Sequence, residues 1–557
     1  MPREGFKKLG ELLVDFNYIT EEELREAIDR QQETNKRLGE LLVELGYVEE
    51  SDLVQVLEFQ LGIPHVELSN YLLGAHLARY IPEHLARRYT VIALEKEGDK
   101  LIVAMDDPSN LLAIEDIEMR TDLKVEPRIA ATSEIKRAIN TVYSMGEDDT
   151  TEIIASLDED QEAEEPELDR LKEMVEDAPI VKLANVIINQ AVRMRASDIH
   201  IEPQAENVRV RYRIDGVLKE NMTAPKYSQA ALTSRLKIIA DLDITKRMIP
   251  QDGRVAMNVG GIKVDMRVST LPTIYGEKVV IRLLRQDTEL INIDKLGFTA
   301  ENREKFIDLI EQPHGILLVT GPTGSGKSTT LFSALRHLNS TTKNIVTIED
   351  PVEYRLDGIN QIQANNKTGL TFARTMRAIL RQDPDIVMVG EIRDEETARI
   401  AIRAALTGHL VLSTLHTNDA VSSITRLVDM GIEPYLVAST VKGVLAQRLV
   451  RRLCDSCKEK YDPPPEEQAL LQPEEGTNLY RSGGCNKCNS TGYYGRLAVQ
   501  ELLIVDDKIK ELVVEDADEQ KLKEYAINKG MKALQEDGIA KVKKGLTTYE
   551  ELIRVIV

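Results

Sequence analysis

Gly321-Pro322-Thr323-Gly324-Ser325-Gly326-Lys327-Ser328 decides the fold of this chain, because the stretch fits the phosphate-loop pattern G-x-x-x-x-G-K-[ST]. Before it, Ile316-Leu317-Leu318-Val319 predicts a buried strand, and after it Thr329 to Leu338 has helical spacing. A loop at a helix N-terminus presents backbone N–H groups to phosphates. In such loops the lysine contacts the β- and γ-phosphates and the hydroxyl ligates Mg²⁺. The alternative is a glycine-rich turn that matches by chance, but the context favours a nucleoside triphosphate site.

The composition limits the classes of function. With 557 residues the chain is too long for one core, and roughly three to five domains are expected. The formal net charge of −22 argues against a protein that grips nucleic acid, since phosphate binding needs a basic surface. No run of about 18 uncharged apolar residues occurs, and residues 1–5 lack the apolar core of a secretion signal. We expect a cytoplasmic protein that contacts a membrane only through partners and has no nucleic-acid partner.

An internal repeat opens the chain. Lys8-Leu9-Gly10-Glu11-Leu12-Leu13-Val14 returns as Arg37-Leu38-Gly39-Glu40-Leu41-Leu42-Val43. Each copy continues with apolar residues at helical spacing and closes on a glutamine, Gln31 or Gln60. Two copies of one helical unit are therefore predicted.

The chain after the repeat changes character several times. The apolar runs 91–94 and 101–104, separated by Gly98-Asp99, predict strands of a small α/β domain. The stretch 146–167 is dense in Asp and Glu, which indicates a flexible acidic linker. In 208–214 a period of two places Arg209, Arg211 and Arg213 on one strand face. From about 296 to 448 strands alternate with helices, as in a parallel sheet flanked by helices.

Two acidic strand ends can complete a hydrolytic site. One strand ends in Glu349-Asp350-Pro351-Val352-Glu353, and the strand 386–390 ends in Glu391. The carboxyl ends of parallel strands face the crevice that holds the phosphate loop, where carboxylates can order the metal and the attacking water. Strand ends are often polar in any case, but we favour the functional interpretation.

Two histidines bracket the next strand. His409 and His416 lie at its start and end and are two of only eight histidines in the chain. They can sense the γ-phosphate or relay closure, and hydrogen-bonded core histidines are an equal alternative.

Two Cys-x-x-Cys pairs predict a metal site. Cys454, Cys457, Cys485 and Cys488 can bring four thiolates to one tetrahedral Zn²⁺, and none of the four cysteines is left over. A closed site of this kind is structural, so we expect no catalysis at the zinc. Asp198, His200 and Glu202 also share one strand face, and for them we favour a structural or interface role.

These motifs together resemble the secretion ATPases that power type II secretion and type IV pili. The resemblance covers nearly the whole chain and is carried by the phosphate loop, the tetracysteine set and five further motifs: Ser197 to Pro203, Gln251-Asp252-Gly253-Arg254, Glu349 to Glu353, Asp383 to Asp394 and His409 to His416. Retraction-type members lack the long N-terminal region and the cysteines. The chain is thus most similar to assembly motors, of the pilus-extension or the type II secretion kind.

The resemblance implies a multidomain α/β fold with a RecA-like P-loop ATPase core. The implied divisions are a helical repeat domain at 1–64, a small α/β domain at 65–145, an acidic flexible linker at 146–176, a PAS-like domain at 177–290, the RecA-like domain at 291–450, a zinc-binding subdomain at 451–500 and a helical C-terminal region at 501–557.

The resemblance also implies a mechanism. In this family the PAS-like and RecA-like domains of a homohexamer close around ATP and Mg²⁺, and the ring turns a platform protein of the inner membrane beside a cytoplasmic ring protein. Arg267 and Arg282 match arginines that reach the phosphates on closure, while Arg377, Arg381 and Arg393 match inter-subunit positions; each can equally form an ordinary ion pair. The resemblance assigns water activation to Glu391 and the ordering of water and metal to the residues of the first acidic strand end.

The N-terminal repeat resembles a cyclic di-GMP receptor domain. The residues implied in binding are Lys8, Leu9, Gly10 and Gln31 in the first copy and Arg37, Leu38, Gly39 and Gln60 in the second. In the first copy Lys8 replaces the arginine and Asn17 replaces a glycine, and lysine lacks the bidentate geometry of arginine. A docking domain for membrane partners is the alternative.

We therefore expect a cytoplasmic hexameric ATPase, peripheral at the inner face of the membrane, that drives type IV pilus assembly. A type II secretion ATPase is the nearest alternative. A nucleotide-regulated signalling switch and a DNA-pumping motor are more distant ones.

Overall fold

The computed structural model describes residues 7–34, 36–66, 68, 71, 75–143, 178–259, 261–285, 292–473, 478–515 and 518–556. The chain divides into two compact units, Met1–Gln286 and Asp287–Val557. The predicted acidic linker, 146–176, lies outside the described residues. Among the helices of the described ranges, none has the length and apolar character needed to cross a membrane.

The first unit begins with the helical repeat. Its helices are α1 (Leu9–Asp15), α2 (Glu21–Glu33), α3 (Leu38–Glu44) and α4 (Glu50–Leu61). Gly10 and Gly39 hold equivalent places, since a Cβ at either would lie 2.5 Å and 3.0 Å from the side chains of Leu24 and Leu53, respectively. Asn17 has a φ of 61° where the second copy has Gly46 at 74°. Asparagine tolerates this left-handed conformation, so the substituted first copy keeps the same turn.

A small α/β domain follows the repeat. Its three-stranded sheet has the order β1-β2-β3, with β1 antiparallel and β3 parallel to the central strand. The strands are Val91–Glu97, Lys100–Met105 and Lys124–Ile129, and the helices α5, α6 and α7 are Glu83–Tyr89, Leu111–Thr121 and Thr132–Tyr143. The two strands predicted in this region are therefore confirmed.

The last domain of the first unit is a six-stranded antiparallel sheet with two helices packed on one face. The strand order is β6-β5-β4-β9-β8-β7. The strands β4 to β9 are Ala196–Pro203, Asn207–Ile214, Val217–Pro225, Gln251–Val259, Ile262–Thr273 and Gly276–Arg285, and the helices α8 and α9 are Ala178–Arg193 and Gln229–Ile239. Tyr212, fully buried in the core between sheet and helices, donates its hydroxyl to the carbonyl of Ile187 at 2.8 Å.

The second unit contains a seven-stranded sheet of order β12-β11-β13-β14-β10-β15-β18. All neighbours are parallel except β15 and β18. The strands β10 to β15 are Gly315–Thr320, Ile345–Glu349, Asn360–Gln363, Ile386–Val389, Leu410–Leu415 and Val441–Leu453, and β18 is Tyr493–Ile504. The helices α10 to α15 are Ala300–Ile310, Lys327–Leu338, Phe372–Ile379, Glu395–Leu406, Val421–Asp429 and Pro434–Thr440. The central strands are buried along their whole length, as a parallel sheet covered on both faces requires.

The domain boundaries predicted at 450 and 500 stay predictions, and both positions fall inside strands of this sheet. The strand β15 runs on to Leu453, and β18 crosses residue 500 while pairing with β15 along almost its full length. The cysteine segment is thus an insertion between two neighbouring strands, and it contains β16 (Glu459–Tyr461), α16 (Pro465–Leu471) and β17 (Leu479–Arg481). After the insertion the chain returns as β18, which pairs with β15 and satisfies the backbone hydrogen-bonding groups along its edge.

The C-terminal helices complete the core of the sheet. They are α17 (Asp507–Glu515), α18 (Glu519–Asn528), α19 (Leu534–Lys543) and α20 (Tyr549–Ile556). Ile509, Val513 and Leu522 are buried in the same apolar cluster as residues of β13 and β14. The predicted helical C-terminus is present, but part of it belongs to the core of the ATPase domain.

Candidate active site and accessory sites

The phosphate loop joins β10 to α11, and its shape requires glycine. Gly321, Gly324 and Gly326 have φ values of 141°, 80° and 89°. A Cβ on Gly321 would lie 2.3 Å from the carbonyl oxygen of Gln447 and 2.7 Å from Oγ of Ser325. The loop is therefore packed tightly on β15, and a side chain at Gly321 would push it away.

The residues of the loop fit a nucleoside triphosphate. Lys327 begins α11, and its Nζ donates to the carbonyl oxygens of Gly321 at 2.8 Å and Pro322 at 3.1 Å. Burial lowers the pKa of Lys327, and the negative charge of Glu391 opposes that effect. Oγ of Ser325 is buried without a hydrogen-bond partner among the described residues. Phosphate oxygens would be stronger acceptors for the ammonium than these neutral carbonyls.

Glu391 lies at the same edge of the sheet as the phosphate loop. It follows Gly390, just beyond the end of β13, and its carboxylate oxygens lie 2.5 Å from Nη2 of Arg393 and 3.5 Å from Nε2 of His416. The Glu391 side chain is 15% exposed, whereas that of Arg393 is 68% exposed. The partly buried carboxylate of Glu391 is thus paired with the long, exposed side chain of Arg393.

Glu349 has a different environment. It ends β11 and is 4% exposed, and it accepts hydrogen bonds from the hydroxyl of Thr347 at 2.6 Å and the amide of Gln361 at 3.0 Å. Burial raises the pKa of Glu349, and the two hydrogen bonds offset only part of that rise. Asp350 and Glu353 follow in the next loop, and the charge of Asp350 acts on Arg393. Glu349 is thus bound by two neutral donors, whereas Glu391 pairs with the cationic side chain of Arg393.

The two histidines lie at opposite ends of β14. His416 follows the carboxyl end and contacts Glu391. His409 precedes the amino end, where its Nδ1 lies 2.9 Å from the carbonyl oxygen of Ala404. A strand of this length separates them by roughly 20 Å. His409 therefore lies away from the phosphate loop of its own chain, because the amino end of a parallel strand faces away from that loop. Its predicted catalytic role stays a prediction.

The arginines expected at subunit boundaries have partners within the chain. Arg377 on α12 pairs with Glu396 on α13, and Arg381 donates to the carbonyl of Arg377 at 2.7 Å. In the first unit Arg267 and Arg282 face each other across β8 and β9, and Nε of Arg282 lies 3.2 Å from Asp198. Their predicted contacts with phosphates or with a second copy stay predictions.

The acidic residues of β4 are held by cations. Glu202 is 5% exposed and accepts hydrogen bonds from Arg209, Arg211 and Lys278 at 3.0, 2.8 and 3.0 Å. Burial alone would raise the pKa of Glu202, but these hydrogen bonds outweigh burial and lower it to about 2. The carboxylate is occupied by three cationic side chains, which fits the structural role that the sequence favoured.

The four cysteines converge on one point. All four are free thiols, and their Sγ atoms lie within 4.8 Å of one another. The closest pairs are Cys454–Cys485 at 3.9 Å, Cys457–Cys488 at 3.7 Å and Cys485–Cys488 at 3.7 Å. Tetrahedral zinc with Zn–S bonds of about 2.3 Å separates its sulfurs by roughly 3.8 Å. The backbone N–H of Gly492 also donates to Sγ of Cys488 at 3.2 Å, so the donor set fits Zn²⁺.

The two helical repeats are linked by a pair of equivalent hydrogen bonds. Gln31 donates to the carbonyl of Lys36 at 3.2 Å, just before the second motif, and Gln60 donates to the carbonyl of Lys7 at 3.2 Å, just before the first. The basic residues of the motifs stay at the surface, and Arg37 reaches Asp107 of the neighbouring α/β domain at 2.8 Å. One small helical domain thus contains all the residues predicted to bind cyclic di-GMP: Lys8, Leu9, Gly10 and Gln31 in the first copy and Arg37, Leu38, Gly39 and Gln60 in the second.

Sequence reasoning missed the residue beneath the phosphate loop. Gln447 lies on β15 at 1% exposure and donates to the carbonyl of Ser325 at 2.8 Å. The sequence carried no clear signal for it, because Gln447 stands directly before Arg448 in a strand that also carries Lys442 and Arg451.

Comparison with known proteins now identifies the family. The profile described as Type II/IV secretion system protein matches residues 173–554, more than half of the chain. The chain belongs to that family. A second profile, described as MshEN domain, matches residues 61–149 of this secretion-family protein. That match covers the small α/β domain, whereas the residues predicted to hold cyclic di-GMP lie in the repeat before it.

The relatives of this secretion-family protein include a pilus assembly ATPase and a type II secretion ATPase. The type IV pilus assembly ATPase PilB of Myxococcus xanthus (strain DK1622) is 46% identical over 556 residues, which cover 98% of each chain. The type II secretion system ATPase E of Vibrio cholerae serotype O1 is 48% identical over 431 residues, which cover 76% of this chain and 86% of its own. The Legionella pneumophila ATPase DotB aligns with a TM-score of 0.51 at 22% identity over 66% of this chain and 94% of DotB, which shows the fold alone. The predicted RecA-like secretion ATPase is confirmed.

Proposed function

We propose that this chain is the assembly motor of type IV pili and hydrolyses ATP at the phosphate loop to drive pilin polymerisation. The observation that carries the proposal is the meeting of Lys327, Glu391, Arg393 and His416 at one edge of the parallel sheet. An ammonium for the phosphates and a carboxylate for the attacking water are the groups that phosphoryl transfer needs. The full-length similarity to a pilus assembly ATPase, which includes the N-terminal region, favours pilus assembly over type II secretion.

We assign separate roles to the residues of this site. Gly321 to Gly326 present backbone N–H groups to the phosphates, and the ammonium of Lys327 exchanges its carbonyl partners for phosphate oxygens. Ser328 and Thr329, in the first turn of α11, would hold Mg²⁺, which neutralises charge on the phosphates when bound. The carboxylate of Glu391 accepts a proton from the attacking water once Arg393 has turned away. Glu349, Asp350 and Glu353 order the surrounding water.

Assembly supplies the rest of the mechanism. We propose a homohexamer in which Arg267 and Arg282 reach the phosphates as domains close, with Arg377, Arg381 and Arg393 at subunit boundaries. An arginine that arrives only on closure couples phosphate charge to movement. The ring would act on a platform protein of the inner membrane with an associated cytoplasmic ring protein, from the cytoplasmic side. The cysteine cluster would hold structural Zn²⁺.

The N-terminal domains would regulate the motor by binding cyclic di-GMP. The support is the reciprocal repeat, with Lys8 and Arg37 at equivalent surface positions, and the MshEN match to the adjoining α/β domain. Titration of the full chain with cyclic di-GMP should give heat that Arg37→Ala abolishes and Arg25→Ala, an exposed arginine on α2, leaves unchanged. Absence of heat in the parent chain at high ligand concentration would refute this regulation.

Turnover tests the motor. We expect the specific ATPase activity to rise with protein concentration as rings form, and to vanish in Lys327→Ala and Arg267→Ala. Glu391→Gln should bind ATP without hydrolysing it, whereas Glu395→Gln, on the exposed face of α13, should keep full turnover. Activity independent of concentration and of Arg267 would instead indicate a monomeric nucleotide switch. In the source organism, loss of surface pili with intact protein secretion on deletion separates pilus assembly from type II secretion.

A further inference from the structure

The phosphate loop rests on one buried amide side chain that belongs to none of the recognised motifs. Gln447 is 1% exposed and lies on β15, the strand parallel to β10 on the side away from β14. Its Nε2 donates to the carbonyl oxygen of Ser325 at 2.8 Å, and its Oε1 accepts from the hydroxyl of Thr330 at 2.8 Å. Because a carbonyl can only accept, these partners settle which end of the amide is nitrogen.

The same residue explains why two loop positions are glycine. A Cβ on Gly321 would lie 2.3 Å from the backbone oxygen of Gln447, and a Cβ on Gly326 would lie 3.2 Å from its Nε2. Gln447 thus touches the loop at its first glycine, at Ser325 and at its last glycine, and it touches the first turn of α11 through Thr330. Gln447 therefore supports the phosphate loop from the side of β15.

The geometry of the peptide gives this contact a consequence for binding. In a trans peptide the C=O and the following N–H point in opposite directions. The carbonyl of Ser325 is turned toward β15 by Nε2 of Gln447, so the N–H of Gly326 points away from that side chain. Gly326 directly precedes α11, where N–H groups collect phosphates.

We propose that Gln447 is a positioning residue for ATP binding, which holds the Ser325–Gly326 peptide in the orientation that points N–H groups at the phosphates. The inference rests on the proposed use of this loop as the ATP site. Gln447 touches no reacting atom, and its effect passes through the loop.

A neighbouring glutamine provides a matched control. Gln500 on β18 is the register partner of Gln447, is also 1% exposed and also carries a buried amide. Its Nε2 approaches the carbonyl of Leu296 at 3.5 Å, so its hydrogen bond lies outside the phosphate loop. Methionine has nearly the length of glutamine without its hydrogen bonds, so Gln447→Met and Gln500→Met make the same chemical change in two places.

The test is steady-state ATP turnover of the full chain, with KM and kcat determined separately and the melting temperature recorded. Leaving the Ser325 carbonyl unpaired should raise KM in Gln447→Met by roughly ten- to a hundredfold, with a much smaller change in kcat, since the loop grips phosphates before and during the reaction. Gln500→Met should keep KM within about twofold even if its melting temperature falls. Thr330→Val, which removes only the second contact, should raise KM several-fold, and the double variant should be no worse than Gln447→Met.

Two results overturn the proposal. The first is an unchanged KM in Gln447→Met, and the second is an equal change of KM in Gln500→Met. If Gln447→Met does not fold, Thr330→Val decides, and an unchanged KM in that variant refutes the role. Lys327→Ala tests whether the loop is the ATP site at all. If Lys327→Ala keeps its turnover and KM, the loop is not the ATP site. If Lys327→Ala loses turnover while Gln447→Met behaves normally, only the role of Gln447 is refuted.

Discussion

Removal of the charge on Glu551 should release the C-terminal helix from the sheet. The Glu551 side chain, on α20, is fully buried and accepts hydrogen bonds from the backbone N–H of Arg451 at 3.0 Å, from Nε and Nη2 of Arg451 at 3.0 and 2.8 Å, and from Nε of Arg554 at 3.0 Å. Arg451 lies on β15, four residues beyond Gln447. The carboxylate therefore clamps α20 onto the strand that supports the phosphate loop.

The magnitude follows from two independent arguments. Burial alone would raise the pKa of Glu551, but hydrogen bonds from Arg554 and Arg451 lower it from 4.5 to about 2. A fall of that size corresponds to about 3 kcal/mol of stability. Because the folded-state pKa is depressed, this stability is fully present above pH 4.5 and is lost as the pH falls toward 2. Removing one partner of a buried ion pair costs about 3–5 kcal/mol, which agrees.

The assay is hydrogen exchange of the full chain, followed in peptides from residues 534–556. Glu551→Gln keeps the volume and loses the charge, so exchange of these amides should accelerate roughly a hundredfold at pH 7, the equivalent of about 3 kcal/mol of local opening. Glu550→Gln is the control, because Glu550 is the exposed neighbour on the same helix. Equal exchange in the two variants, or acceleration spread evenly over the second unit, would refute the clamp.

Three further predictions concern other parts of the molecule. Gly321→Ala, whose Cβ would lie 2.3 Å from the Gln447 carbonyl, should weaken binding of a fluorescent ATP analogue at least tenfold without unfolding the second unit, and retained affinity would contradict the tight packing of the loop. Purified chain should contain about one zinc per molecule by elemental analysis; Cys488→Ser should lose it and expose residues 454–492 to protease, while Ser456→Ala should not. Burial raises the pKa of Asp106 to about 6, so the stability that this carboxyl contributes is complete below pH 3.8 and lost above about 6. Asp106→Asn should therefore raise the melting temperature of the N-terminal domains at pH 7.5, with a smaller gain at pH 5.

Most of the site's chemistry could be read from contiguous residues. The phosphate loop, the acidic ends of β11 and β13 and the two cysteine pairs are each encoded within a few positions, and the geometry of a parallel sheet then predicts that the strand ends share an edge. The family resemblance rested on the same local motifs. The position of His409, at the sheet edge away from the phosphate loop, was not predicted, because a motif shows which residues flank a strand, whereas the edge that each residue faces depends on strand direction.

The pairing of the strand that crosses residue 500 could not be predicted for a related reason. The apolar run of β18 follows the cysteine segment, and its partner β15 precedes that segment, so the pairing spans the whole insertion. Local periodicity carries no information about which distant strand completes a sheet edge.

By itself, then, the sequence determined the chemistry: a phosphate loop that needs glycines, four thiolates for one metal, and a repeated helical unit at the N-terminus. Only the tertiary structure decided what supports that chemistry. Gln447 meets Ser325 across 122 positions, and Glu551 meets Arg451 across 100. Such contacts arise because buried polar groups must be satisfied wherever packing brings them, and the partner that satisfies them is selected by the fold rather than by neighbours in the chain.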